Sequence, residues 1–140
     1  MAEAQSTLDE KEVARFAKDA ARWWDAKGPF APLHRINPVR LAYIRDALCR
    51  RFGRDAKTGT SLAGLSVLDI GCSTGYSSAV LANLAQTVTA VEAEPELAAA
   101  ACETLQTLGL NNAVVVHGEH ARGVPSAGPF DVILLYGSVP

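Results

Sequence analysis

Residues 67–75 read Val67-Leu68-Asp69-Ile70-Gly71-Cys72-Ser73-Thr74-Gly75. The apolar start and the two glycines four residues apart predict a strand that passes into a tight turn, and an apolar-periodic segment follows from Tyr76. Twenty-one residues after Gly71, a second strand ends in Glu92, a carboxylate spaced to accept hydrogen bonds from ribose hydroxyls. The sequence therefore predicts the first strand, loop and helix of an open α/β sheet that holds an adenosine.

The spacing of the glycines indicates which class of adenosine ligand the loop can bind. A dinucleotide loop needs Gly-x-Gly-x-x-Gly, and Ser73 stands where its middle glycine would be, while the Gly-Lys-Ser/Thr of a Walker-type loop is missing. The string Asp-x-Gly-x-x-x-Gly, with an acid ending the next strand, resembles the S-adenosylmethionine-dependent methyltransferases of the Rossmann-like class. The alternative is a strand and helix turn that binds nothing, and the joint presence of the loop and Glu92 favours the ligand.

Composition excludes several classes of protein. The 140 residues are 49% apolar and 20% charged, which is typical of a globular chain, and a net charge of −2 gives no basic field for nucleic acid. The three cysteines lie far apart without a Cys-x-x-Cys motif, so we expect a reducing compartment and no thiolate metal site. With acids near the N-terminus and no long apolar run, the sequence predicts a cytoplasmic protein, and His117 and His120 lack the cues of a metal site.

Two segments are predicted, a helical cap over residues 1–60 and a cofactor-binding domain over residues 61–140. Thr7 suits the N-cap position of a first helix, and Gly28-Pro29 ends that helix. The prolines up to Pro38 predict an extended or turning segment. A second helix is predicted from near Pro38 to Phe52. Its expected buried side comprises Val39, Leu41, Tyr43, Ile44 and Leu48.

The rest of the chain alternates strands with helices, which predicts a parallel sheet with right-handed crossovers. A polar loop over residues 53–64 comes first. The predicted strands are 66–70, 88–92, 113–117 and 131–135, and the predicted helices are 76–86 and 95–108. In the last helix Leu97, Ala101, Leu105 and Leu108 form the apolar stripe and Gly109 ends it. The expected fold class is α/β, a Rossmann-like methyltransferase fold with a partial sheet of about four parallel strands preceded by two N-terminal helices.

Residues 16–72 closely resemble the ubiquinone-biosynthesis O-methyltransferases, which methylate catechol hydroxyls on a polyprenylated ring. The residues that carry this resemblance are Arg22-Trp23-Trp24-Asp25, Gly28, Pro32-Leu33-His34-Arg35-Ile36-Asn37-Pro38-Val39-Arg40-Leu41 and Tyr43-Ile44-Arg45. The resemblance implies that Arg40 reaches the cofactor carboxylate, Gly71 forms the loop floor, Glu92 binds the ribose, and Tyr136 lines the cofactor after strand four. A guanidinium is also the natural bidentate partner of a carboxylate. The alternative for Arg40 is a surface position on an amphipathic helix.

Three further residues complete the predicted S-adenosylmethionine site. Asp69 and Gly75 belong to the loop string itself, and Glu119 follows strand three, where the loop borders the adenine in related folds. Glu119 is therefore a candidate acceptor for the adenine amine.

From Ser73 onward the chain looks more like the protein-L-isoaspartate O-methyltransferases. That resemblance rests on residues 73–82, on Val91-Glu92 with Pro95-Glu96-Leu97-Ala98, on residues 108–113, and on Pro129-Phe130-Asp131-Val132-Ile133 through Val139-Pro140. The two likenesses meet near residues 68–72. They suggest a chimera joined there, or one divergent natural sequence.

The sequence assigns no residues to the binding or activation of the methyl acceptor. The ubiquinone family carries a Glu and His cluster after strand four, where this chain has Tyr136-Gly137-Ser138-Val139-Pro140, and the segment with the isoaspartate family's active serine is replaced. The methyl acceptor is thus predicted as a quinol precursor or, alternatively, an isoaspartyl protein. A third reading is a truncated cofactor-binding module without turnover.

Three contacts are predicted less specifically. Strand four is an open edge that predicts a homodimer. Trp23 and Trp24 suit either a weak peripheral membrane contact or, as we favour, packing onto the domain. His34 suits either a general base or, as we favour, a loop-holding hydrogen bond.

Overall fold

The computed structural model describes residues 10–20, 22–59 and 61–135. Its elements in chain order are the helices α1 (Glu10–Ala20) and α2 (Ala31–Phe52), strand β1 (Leu62–Ile70), helix α3 (Tyr76–Ala82), strand β2 (Ala85–Glu92), helix α4 (Pro95–Thr107), strand β3 (Ala113–His117) and strand β4 (Val132–Leu135). Two short 3₁₀ turns, His120–Arg122 and Pro125–Ala127, connect β3 to β4.

The four strands form one parallel sheet in the order β3-β2-β1-β4. Val67 of β1 pairs with Val88 of β2 on one side and with Val132 of β4 on the other. Because the order reverses between β1 and β4, the carboxyl end of β1 opens at the position where α/β sheets bind ligands. The α/β class, the four parallel strands and the two preceding helices are as the sequence predicts.

The main core lies between the central strands and the helices α2 and α3. It is built from Cys49, Leu62, Leu65, Val67, Leu81, Ala82, Ala85 and Val88. A second, smaller cluster joins Cys72, Ala90 and Ala101 beneath the glycine loop. These two clusters fix β1, β2, α3 and α4 against one another and so hold the loop between β1 and α3 in place.

Helix α2 begins at Ala31, so the predicted extended segment up to Pro38 is wrong. Pro32 lies in the first helical turn, where a missing N–H removes no hydrogen bond, and Pro38 lies inside the helix. The predicted buried side is also partly wrong, because Val39 and Tyr43 are 73% and 71% exposed. Asn37 and Cys49 are buried instead.

The first helix ends earlier than predicted. Helix α1 stops at Ala20, and residues 22–30 form successive turns closed by backbone hydrogen bonds from Asp25 to Arg22 and from Gly28 to Asp25. These turns bring Trp23 back onto Phe30, with ring centroids 4.9 Å apart. Thr7, the predicted cap, lies outside the described residues.

The sheet boundaries differ in detail. Strands β1 and β2 begin at Leu62 and Ala85, earlier than predicted, so α3 is shorter and the polar loop loses its last residues. Ala98 is buried on α4, whereas Leu108 is 55% exposed and does not belong to the buried stripe. Gly109 has φ +67° and ends α4 as predicted. The division into segments 1–60 and 61–140 stays a prediction.

Candidate functional site

The loop after β1 is a backbone turn held against β2. Gly71 has φ +79° and donates its N–H to the carbonyl of Val91 at 2.9 Å. Ser73 has φ +51°, a left-handed conformation that a residue with a Cβ adopts only at some cost. Gly75 has φ +90° and lies so close to α4 that a Cβ there would be 3.2 Å from the Cα of Ala101. Two glycines and one strained serine therefore give the loop its shape.

Glu92 ends β2 beside this loop and is only 5% exposed. One carboxylate oxygen, Oε2, accepts the N–H of Ser73 at 2.8 Å, and the other, Oε1, accepts the N–H groups of Ala93 and Glu94 at 2.9 and 3.1 Å. Nε2 of His120 lies 3.5 Å from Oε1. A carboxylate offers about four lone-pair positions, so Glu92 stabilises the strained Ser73 and retains capacity for a further donor such as a ribose hydroxyl.

Asp69 lies behind the loop and is fully buried. Its Oδ2 accepts the hydroxyls of Ser77 and Ser78 at 2.7 and 2.6 Å, which ties the start of α3 to the end of β1. Burial raises the pKa of this carboxyl above its ordinary value of 3.8, against the opposing effect of the two serine hydrogen bonds. Asp69 thus positions the loop from below, and it does not line the cavity described next.

Burial also controls the thiol in the loop. It raises the pKa of Cys72 to about 12, with the negative charges of Asp69 and Glu92 adding to the effect. Cys72 is therefore a neutral, apolar part of the loop floor at ordinary pH.

A cavity of about 170 Å³ lies between the glycine loop on one side and helix α2 with the turns before it on the other. Arg40 lines this cavity together with Gly71, so the structure brings these two predicted site residues to the same space. The other lining residues are Trp23, Leu33, Asn37, Cys72, Ser73, Thr74, Tyr76 and Ser77. The volume is several times the roughly 30 Å³ that one water occupies, so a small polar group of a ligand fits.

Aromatic rings close the cavity on the side of the cap. Trp23 packs against His34 and Tyr76, with ring centroids 5.4 and 6.2 Å away, and Trp24 packs on Tyr76 at 5.5 Å. Nε2 of His34 is hydrogen-bonded to the backbone carbonyl of Trp23. These contacts favour the structural role for His34 and the packing role for the two tryptophans.

The remaining predicted residues lie apart from this cavity or outside the described chain. Glu119 is 76% exposed and pairs with Nε of Arg122 at 3.4 Å, on the loop after β3. Nε2 of His117 is 3.0 Å from the carbonyl of Ala93. Tyr136 lies outside the described residues. Across residues 10–20, 22–59 and 61–135, no group of three or more His, Cys, Asp or Glu side chains could hold a metal ion.

The sequence predicted Arg40 at this site but did not predict that Trp23 and Asn37 line the cavity beside it. Trp23 and Asn37 precede Gly71 by more than thirty residues, and neither belongs to a pattern that names a ligand. The one available signal was their place in the resemblance around Arg40, where Asn37 lies one helical turn before the arginine.

Residues 61–140 match the family model of the protein-L-isoaspartate(D-aspartate) O-methyltransferases, PCMT. This chain belongs to that family. The solved structure of a protein-L-isoaspartate O-methyltransferase is 30% identical and superposes with a TM-score of 0.53, over 65% of this chain and 27% of that one. A DhpI-SAM-HEP complex, 19% identical, superposes with a TM-score of 0.56 over 94% of this chain and 51% of that one, which supports the fold alone. The fold is thus the Rossmann-like methyltransferase fold, as predicted.

Curated relatives confirm the predicted resemblance to the ubiquinone-biosynthesis O-methyltransferases. The ubiquinone biosynthesis O-methyltransferase of Sinorhizobium fredii (strain NBRC 101917 / NGR234) is 42% identical over 132 residues, 94% of this chain and 52% of the relative. An alignment of that length extends well past Cys72, so the likeness to the ubiquinone enzymes continues into the half that matches PCMT. The chain spans about half the length of the curated relatives it matches.

No helix within the described residues has both the length and the apolar character needed to cross a bilayer.

Proposed function

We propose that this chain binds S-adenosylmethionine and acts in an O-methyltransferase of the ubiquinone-biosynthesis type, on a catechol hydroxyl of a polyprenylated ring. The observation that carries the proposal is the cavity in which Arg40 of α2 meets the glycine loop, beside the buried carboxylate of Glu92. The 42% identity over 94% of the chain to a ubiquinone biosynthesis O-methyltransferase supports the choice of reaction.

The residues present fit this cofactor. When bound, S-adenosylmethionine supplies an electrophilic methyl group on a sulfonium. Glu92 would accept a ribose hydroxyl, Arg40 would pair with the carboxylate, and the loop from Gly71 to Gly75 would lie against the methionine half. Asp69 supports that loop from below, Glu119 would accept from the adenine amine, and Tyr136 would line the far side. By fixing the donor group, the domain contributes orientation and proximity to the reaction.

Calorimetry with S-adenosylhomocysteine tests the cofactor site. We expect micromolar binding to the chain and binding about 1–3 kcal/mol weaker to Glu92→Ala, the cost of leaving ligand hydroxyls unpaired. Because Glu92 also accepts three backbone N–H groups, circular dichroism must accompany the titration. Glu96→Ala, an exposed acid in the first turn of α4, is the matched control. No heat from a folded wild-type chain would refute the proposal.

The match to the PCMT family favours a second candidate, methylation of an isoaspartyl carboxyl in a protein. A methyl-transfer assay with radiolabelled cofactor separates the two, with a demethylated quinol and an isoaspartyl peptide as acceptors. Label on the quinol alone supports the ubiquinone-type reaction, and label on the peptide alone supports the second candidate. Binding of cofactor without transfer to either acceptor would make the chain a cofactor-binding module without turnover.

We propose a cytoplasmic protein whose segment 1–60 caps a cofactor domain over 61–140. Its partners would be the small-molecule or protein acceptor and a second copy of the chain.

A further inference from the structure

Three buried side-chain groups on the wall of the cavity at the glycine loop have no hydrogen-bond partner among the described residues. They are the indole Nε1 of Trp23, the amide Nδ2 of Asn37 and the hydroxyl Oγ1 of Thr74. Asn37 is only 3% exposed and Thr74 only 4%. A buried polar group without a partner costs about 1–3 kcal/mol, so three of them around one cavity indicate a ligand that completes them.

The chemistry of these groups selects an acceptor-rich, negatively charged ligand. The indole N–H and the amide NH₂ can only donate, and the hydroxyl can donate. Arg40 adds a guanidinium to the same wall, whereas no aspartate or glutamate among residues 10–20, 22–59 and 61–135 lines the cavity. A carboxylate, with two oxygens and about four lone-pair positions, is the small group that matches such a set of donors.

The donor on Trp23 is also held in place before any ligand arrives. The backbone carbonyl of Trp23 is bonded to His34, and its ring packs on Phe30 and Tyr76. Asn37 is fixed by its position inside α2. Preorganised donors bind a ligand with little loss of side-chain freedom.

We propose that Trp23, Asn37 and Thr74 bind, beside Arg40, the α-carboxylate at the amino-acid end of S-adenosylmethionine. The inference rests on the proposed cofactor and assigns recognition of its amino-acid end to Trp23, Asn37 and Arg40 together with Thr74 of the glycine loop. These residues would thereby distinguish a ligand with an amino acid from a bare adenosine thioether.

A comparison of two ligands tests the inference. S-Adenosylhomocysteine carries the amino-acid end, and 5′-methylthioadenosine has the same adenosine and thioether without it. Calorimetry of both ligands is carried out on the wild-type chain, on Asn37→Asp, which replaces a donor by a repelling carboxylate, and on Trp23→Phe, which removes the indole N–H and leaves a smaller aromatic ring in its place. We expect S-adenosylhomocysteine to bind on the order of tenfold more weakly to each variant, with methylthioadenosine unchanged.

Matched controls are available in the chain. Trp24→Phe changes the neighbouring tryptophan, which does not line this cavity, and Asn111→Asp makes the same substitution at an exposed site. Neither control should change the ratio of the two affinities.

The possible results separate the inference from the proposed function. Equal weakening of both ligands would mean that Trp23 and Asn37 only hold the cap, and unchanged binding of S-adenosylhomocysteine would mean that water completes the donors; either overturns the inference. If the wild-type chain binds both ligands with equal affinity, the inference is wrong as well, although the proposed cofactor site is still supported. Binding of neither ligand to the folded chain would overturn the proposed function and this inference together.

Discussion

Asp69 is a buried carboxylate whose two oxygens have unequal surroundings. Its Oδ2 accepts two serine hydroxyls, while its Oδ1 has no partner among the described residues. Since burial raises its pKa in the folded state, the folded chain holds the proton more tightly than the unfolded chain. The free energy of unfolding should therefore fall as the pH rises from about 3.8, its ordinary value, up through the folded pKa.

Asp69→Asn removes this titration while keeping the shape of the side chain. The free energy of unfolding of the wild type should fall as the pH rises through that window, whereas that of the variant should lack this fall. The difference between the two should therefore grow in favour of the variant and become constant above the window. Urea unfolding followed by circular dichroism at a series of pH values measures the difference. A difference that does not vary with pH would show that Asp69 titrates alike in both states.

The position of a candidate site residue could be predicted only where the local sequence encodes it. Gly71 and Glu92 follow from strand ends and spacing, because each strand places its last residue at the same edge of the sheet. Trp23 and Asn37 reach the cavity through the turns over residues 22–30 and the early start of α2, and no local pattern encodes that approach. The strain at Ser73 also escaped prediction, since it depends on the carboxylate of Glu92 nineteen residues away.

The glycine loop and helix α4 are in close contact at Gly75. This contact predicts that alanine at Gly75 destabilises the fold more than alanine at Gly109 does. Gly75→Ala must accept φ +90° and must also push a methyl to within 3.3 Å of Ala101 backbone atoms. Gly109→Ala must accept φ +67° but meets nothing within 4 Å. We expect a loss of roughly 2–4 kcal/mol of unfolding free energy for Gly75→Ala and about 1–2 kcal/mol for Gly109→Ala.

Urea unfolding at a single pH measures both losses, and Gly109→Ala is the control for the left-handed conformation alone. Equal losses would show that the loop moves away from α4 without cost, and that the close approach at Gly75 does not hold the loop in place.

The elements themselves were predicted unevenly, for a physical reason. The alternation of apolar strands and amphipathic helices after Gly64 encodes β2, β3, β4 and α4 locally, with errors confined to their ends. The two N-terminal helices were harder to predict. Proline normally ends a helix, yet α2 continues through Pro38, and Asn37 and Cys49 are its buried residues.

The described sheet has β3 and β4 as its two outer strands. On β4, Ile133 and Leu135 share one face of the sheet and are 60% and 51% exposed, whereas on β3 Val114 alone is a large apolar residue exposed to a similar degree, at 60%. An exposed apolar outer strand promotes pairing with another strand. The family, the fold and the open edge at strand four could be predicted from the sequence, but the exposure of Ile133 and Leu135 could not, because which residues are exposed depends on how the chain packs.

We expect the chain to associate with itself through β4 as its concentration is raised, and sedimentation velocity will show a shift toward dimer. Ile133→Lys should restore the monomer, because a charge on the outer strand opposes strand pairing without entering the core. Val114→Lys places the same charge on the opposite outer strand and should leave association unchanged. If Val114→Lys is the variant that dissociates the dimer, then β3 is the contact; a wild-type chain that stays monomeric at every concentration would exclude association through either strand.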